Sequence, residues 1–181
     1  MILLSRLLSR YLFILLVTAI PMLTSAQSEV LAIDWVDLIS QKDLDAILNA
    51  PTFSHDEFGW EEQLDANPEN EAYMNAMRSF DVNPDLVNQR IMISGFIVPT
   101  AYDEERKVTE FFLVPFFGAC LHLPPPPPNQ IIHVAYESGV ELVNMYDAYT
   151  VHGLLSNEVV SNALADSAYR LQAEDVALYS F

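Results

Sequence analysis

The sequence predicts a mainly β protein with some α-helix: a small antiparallel barrel of the OB kind preceded by a short helical segment. Three observations predict it. The 181-residue chain is 51% hydrophobic and 18% charged, a mixture that can bury a core and is far from the composition of a disordered chain. From Arg90 onward, short runs rich in branched and aromatic residues alternate with turn signals, the pattern of a small all-β domain. Within residues 27–50 the apolar residues recur at three- and four-residue intervals instead, which is helical spacing. A sandwich is the second choice of architecture.

The first residues have their own logic. Arg6 and Arg10 precede an apolar run from Tyr11 to Met22, and Thr24-Ser25-Ala26 ends it with small residues. That order matches a secretory signal peptide, and the apolar stretch falls short of the ~20 residues a membrane span requires. Cleavage is expected after Ala26, giving an exported, periplasmic product. Gln27 stands where a lipoprotein would carry cysteine, so no lipid anchor is expected. The chain then divides into 1-26 signal peptide, 27-89 helical and acidic segment, and 90-181 barrel domain.

Within residues 27–50, Trp35, Val36, Leu38, Ile39, Leu44, Ile47 and Leu48 recur at helical spacing, and Pro51 closes the segment because the residue before proline avoids helical angles. Residues 51–89 are polar and acidic. Glu69 to Phe80 predicts a short helix whose shared face carries Tyr73, Met77 and Phe80. Asp56, Glu57, Glu61, Glu62 and Asp65 beside His55 read as a solvated charged loop.

Five strands follow: Arg90 to Val98, Glu110 to Phe116, Gln130 to Tyr136, Ala148 to Leu155, and a closing strand from Tyr169 to Tyr179. Gly95 marks a bend or bulge in the first, since an interior glycine weakens a regular strand. Asn157 to Ser167 reads as a loop or short helix. Five short strands at this spacing suit a small OB-like barrel.

Charge narrows the partners. Eight Lys and Arg stand against 25 Asp and Glu, a formal net charge of −17, and cleavage would remove two of the bases. Such a surface repels phosphate backbones and anionic lipid, so nucleic acid is excluded as a partner. A single cysteine excludes an internal disulfide and any C-x-x-C chemistry.

One stretch carries the chemistry. Gly118-Ala119-Cys120-Leu121-His122-Leu123 leads into five prolines, Pro124, Pro125, Pro126, Pro127 and Pro128, then Asn129 and Gln130. Prolines lack N–H groups and cannot sit in an interior strand. They predict a polyproline II rod rising ~3.1 Å per residue, which is either a stiff crossover or a pre-ordered docking element. Gly118, the prolines, Asn129 and Gln130 form that candidate docking loop.

Cys120 and His122, two residues apart in extended chain, point to one face. Thiolate plus imidazole is a ligand set that zinc favours, and zinc is the one cofactor these residues indicate. Further donors, in order of preference, are His133, His152, Asp147 and Glu110. Against this stands a structural reading: cysteine packs as a small apolar side chain, and strand histidines are usually satisfied wall residues. A nucleophilic cysteine would need an oriented base and oxyanion donors. The sequence specifies neither, so no catalytic residue is assigned and the chain is not read as an enzyme.

The run Gly95 to Pro99 (G-F-I-V-P), with Glu110 to Gln130 and its centre G-A-C-x-H-x-P-P-P-P-x-N-Q, resembles a bacterial family of exported proteins with a domain of unknown function. The resemblance spans roughly Trp35 to Tyr179. It implies relatives encoded beside ABC-transporter components and within zinc-responsive clusters, and hence a periplasmic accessory or binding protein working with a membrane transporter or another periplasmic protein in zinc handling. His133 and His152 stand where relatives can carry Tyr or Thr, which argues against a four-ligand site using both. The competing reading is a non-metal interaction module docking through the polyproline loop; a thiol-dependent enzyme is third.

Overall fold

A computed structural model of the chain describes residues 29–50, 70–119 and 126–180. The expected signal peptide, the acidic cluster with His55, and Cys120, His122, Pro124 and Pro125 lie outside the described residues.

The strands are β1 (Leu31–Ala32), β2 (Arg90–Tyr102), β3 (Val108–Val114), β4 (Ile132–Val140), β5 (Ala148–Ser156), β6 (Val160–Ser161), β7 (Asp166–Ser167) and β8 (Tyr169–Leu178). Pairing runs β2-β3-β4-β8-β5, and β5 pairs back to β2. This closes the five-stranded barrel that the sequence predicts. Alternate residues line its interior, among them Ile91, Ile93, Leu113, Val134, Val151 and Leu171, as the two-residue period of a strand requires. Four seams are antiparallel, but β4 and β8 run parallel. A ring of five strands cannot alternate direction all the way round, so at least one seam must be parallel.

No register shift falls at Gly95, so the bulge expected there is absent; what marks the position is a close backbone approach. Up to Phe96, β2 pairs with β5, and from Phe96 onward it pairs with β3. A Cβ on Gly95 would lie 2.6 Å from the Val114 carbonyl oxygen and 2.8 Å from the Trp35 ring. Glycine therefore permits a close approach here, and the Trp35 indole N–H donates to the Ser94 carbonyl at 2.8 Å. The register shifts of β2 come later, between Pro99 and Ala101 and between Ala101 and Tyr102. A second glycine of this kind, Gly153, sits at a register shift between β5 and β8, where a Cβ would collide with the Gln172 carbonyl.

Residues 27–50 depart from the continuous helix that their spacing predicts. β1 pairs parallel with β2 at Ile91 and Met92, a 3-10 turn covers Trp35–Leu38, and helix α1 covers only Gln41–Leu48. Pairing with β2 takes Leu31 and Ala32, and Ile39 bridges to Val82, so tertiary contacts override local propensity. Ser40 caps α1 by accepting from the Asp43 N–H at 3.2 Å. Helix α2 (Glu71–Ala76) falls within the expected helical stretch. Its buried residue is Ala76; beyond its end Ser79 is buried and Phe80, expected on the helix face, is exposed. The 157–167 connection holds the two-stranded β6–β7 ribbon rather than a helix.

Candidate functional site

The outer face of β3 and β4 is the face by which OB barrels take oligonucleotides and oligosaccharides. Here the chain covers it. Phe112, Val114, Ala119 and Ile131 form a buried cluster outside the barrel, joined by Phe96, Val98 and Ala165. Ala119 and Ile131 come from the β3–β4 connection, which carries the Cys-His-proline motif. Ala165 comes from the β5–β8 connection with its ribbon.

The downstream half of the motif is a structural joint. Pro127 has φ −60° and ψ 152°, close to polyproline II values, and a 3-10 turn covers Pro128–Gln130, so Pro128 departs from the rod predicted for the five prolines. Asn129 is 1% exposed; its side-chain amide donates to the Asp43 carboxylate at 3.2 Å and to the Asp81 carbonyl at 3.0 Å. The Gln130 amide donates to the Trp35 carbonyl at 2.8 Å. The Pro128 carbonyl accepts from the Ala168 N–H at 2.9 Å. Three separate stretches of chain are thereby held on one turn. Upstream, Gly118 adopts φ 78°, a left-handed conformation that favours glycine, in the turn from Phe116 to Ala119.

His133 is the donor that the fold buries beside this loop. It is 4% exposed, its ring meets Phe112 edge-on at 5.7 Å, and its Nε2 lies 3.7 Å from a Glu110 carboxylate oxygen. Its Nδ1 is buried with no hydrogen-bond partner. Burial pushes the His133 pKa below its ordinary value; Glu110 opposes the shift, and Arg170 adds to it. Desolvation outweighs the long contact to Glu110, so the ring is neutral at neutral pH, the form in which imidazole ligates metals.

The other candidate donors are not gathered there. His152 lies on β5 opposite Met92 and Asp175. Arg170 links the two histidines in register, facing His133 on one side and Ser156 on the other. His152 is four residues along β5 from Ser156, which separates it from His133 by ~13 Å along the strands and ~10 Å across them. Asp147 precedes β5 and accepts from the Asn144 amide at 3.1 Å. Among the described residues, no group of three or more His, Cys, Asp and Glu is arranged to hold a metal ion; Cys120 and His122 are outside that set.

Sequence reasoning missed Ser167, Phe112 and Arg170. Ser167 is fully buried, accepts the His133 N–H at 3.1 Å and reaches the Ile131 carbonyl at 2.8 Å; no spacing announces it. Phe112 had a signal, since it stands two residues from Glu110 and so shares its strand face.

The family model of DUF3299, described as a protein of unknown function, matches residues 35–178. The crystal structure of a DUF3299 family protein from Pseudomonas aeruginosa PAO1 is similar at 32% identity and a TM-score of 0.62, covering 84% of this chain and 98% of that chain. A putative aspartyl-tRNA synthetase from Leishmania major Friedlin overlaps 71% of this chain and 23% of that chain at 12% identity and a TM-score of 0.34, too distant to transfer fold or function. No curated protein matches the chain.

Proposed function

The chain belongs to the DUF3299 family of proteins of unknown function, and on that premise we propose an exported, periplasmic accessory protein that binds zinc for a membrane transporter. The observation that carries the reading is the state of His133: buried, neutral, with Nδ1 unpartnered and Nε2 facing the Glu110 carboxylate. Metal-bound histidines commonly turn their second nitrogen to a carboxylate in this way. A buried nitrogen without a partner is costly, and a metal ion would satisfy it.

Cys120 would supply a thiolate and His122 a second imidazole. With His133 they make three donors of the types zinc prefers, leaving a fourth position open, as suits transfer rather than storage. The connection that carries the cysteine places its Ala119 in the same buried cluster as Phe112, the ring that His133 meets. The net charge of −17 would raise the local cation concentration. The transporter partner is supported by the resemblance to relatives encoded beside ABC-transporter components.

Calorimetric titration of the mature chain with zinc at neutral pH tests the reading. Wild type should give binding heat, and Cys120→Ser and His133→Gln should each lower affinity by about tenfold or more, the range for loss of a ligand or its support. No heat, or unchanged affinity in Cys120→Ser, would leave docking through the polyproline loop as the function. That second reading draws on the anchoring of the loop at Ala119, Asn129 and Gln130, which would hold the intervening prolines for a partner.

A further inference from the structure

The β3–β4 and β4–β5 connections meet at an apolar surface that the barrel does not use. The Phe117 ring rests on Tyr146, with centroids 4.5 Å apart and planes tilted by 40°, and turns an edge to Phe96 at 6.3 Å. Phe116, Phe117, Val143, Met145 and Tyr146 are all exposed, Val143 at 83% and Tyr146 at 64%. Single exposed apolar side chains are ordinary, but a cluster on two touching loops marks an interaction surface. The tilted, touching aromatic pair resembles the pre-organised anchors that dominate interface energetics.

Charge selects the occupant. The β4–β5 connection reads Glu141-Leu142-Val143-Asn144-Met145-Tyr146-Asp147, two carboxylates and no cation, and Pro115 to Ala119 is uncharged. A second copy of this chain would bring its own −17 to the same surface, and anionic lipid would be repelled likewise. We propose that the Phe117–Tyr146 surface docks a cationic, apolar segment of a partner protein. Lysine or arginine of that segment would lie over the Tyr146 ring and near Glu141 and Asp147, while its apolar side chains cover Phe116, Val143 and Met145. The inference is independent of zinc, because none of these five apolar residues is a metal donor.

The test is fluorescence anisotropy with a short dye-labelled amphipathic peptide of leucine and lysine, its leucine–glutamate counterpart, and a glycine–lysine peptide of equal charge. The whole chain is titrated without zinc, so the outcome does not depend on the metal site. The leucine–lysine peptide should bind best. Its affinity should fall about tenfold or more in Phe117→Ser/Tyr146→Ser, as expected when aromatic anchors are removed, and in Tyr146→Ser alone by a smaller factor. It should stay unchanged in Leu154→Ser, an exposed site on β5. Tyr146→Ser serves by itself should the double variant unfold. Equal binding of leucine–lysine peptide to wild type and Tyr146→Ser, or equal binding of the glycine–lysine peptide, overturns the proposal in favour of diffuse attraction. Self-association of the free chain that Tyr146→Ser abolishes would overturn it in favour of a second copy.

Discussion

The side-chain amide of Asn129 donates to the carboxylate of Asp43 across 3.2 Å, in a position where both residues are buried. The contact joins the end of the proline run to α1, 86 positions earlier in the chain. Half of the Cys-His-proline stretch is therefore a joint, and the half with Cys120 and His122 precedes it in the sequence.

Asn129→Ala should destabilise the fold. Asp43 would lose its amide donor, and the Asp81 carbonyl would lose a second bond. Buried groups left unpaired cost about 1–3 kcal/mol each, more when charged. The denaturant midpoint should drop accordingly. Asn129→Asp should cost more, because it sets two carboxylates against each other. Stability within experimental error of wild type for both variants would show that the joint contributes nothing.

Tyr169 provides a second tie and an alkaline limit. Its hydroxyl donates to the Leu38 carbonyl at 2.8 Å and accepts the Asn83 N–H at 2.7 Å. Burial pushes its pKa up to about 12 from 10.0. The folded protein thus holds this proton more tightly than the unfolded chain does. Its contribution to stability is complete below pH 10.0 and is lost as pH rises towards about 12. Tyr169→Phe should lower stability by about 1–3 kcal/mol at neutral pH, and its thermal midpoint should fall less steeply than that of wild type through this alkaline window.

His133 sets the opposite dependence. Burial lowers its pKa below 6.5, so the unfolded chain takes up this proton first. The contribution is complete above pH 6.5 and is lost as pH falls through the lower native value. His133→Phe should flatten that part of the acid limb in thermal melts. An unaltered acid limb would mean that the ring titrates in the folded state as it does in water.

Gly95→Ala should be destabilising by about 1–3 kcal/mol, the usual cost of overpacking. The new methyl would meet a backbone oxygen of Val114 at 2.6 Å and the Trp35 ring at 2.8 Å, and backbone in a paired strand cannot move aside cheaply. Chemical denaturation measures it, with Trp35 fluorescence, read in a Trp60→Phe background because the chain has two tryptophans, as a local probe. Gly95→Ala with wild-type stability and an unshifted Trp35 signal would mean that β2 and β3 can part here freely.

The barrel was legible in the chain itself. Strand alternation is a property of covalent geometry, so inward residues such as Ile91, Ile93 and Val151 announce themselves by period alone. Gly95 was legible in part: an interior glycine in a strand marks a bulge or a close approach, and packing against Val114 and Trp35 decided for the second. The proline run likewise excluded interior strand from its chemistry alone. Tertiary structure decided what depends on partners far away in sequence. The helical spacing of residues 27–50 was real, yet β2 claimed Leu31 and Ala32, and the helix shortened to Gln41–Leu48. The parallel β4–β8 seam follows from closing five strands, which no single strand records. Glu110 and His133 meet because β3 and β4 pair in one register, with Glu110 opposite Ala135 and Phe112 opposite His133, and a slip of one residue would turn every side chain of a strand to the other face. Asn129 and Gln130 read as loop polar groups until the turn at Pro128–Gln130 buried Asn129 against Asp43 and tied the half-buried Gln130 to Trp35. Periodicity is local, whereas register, closure and burial are fixed by the free energy of the whole packed chain.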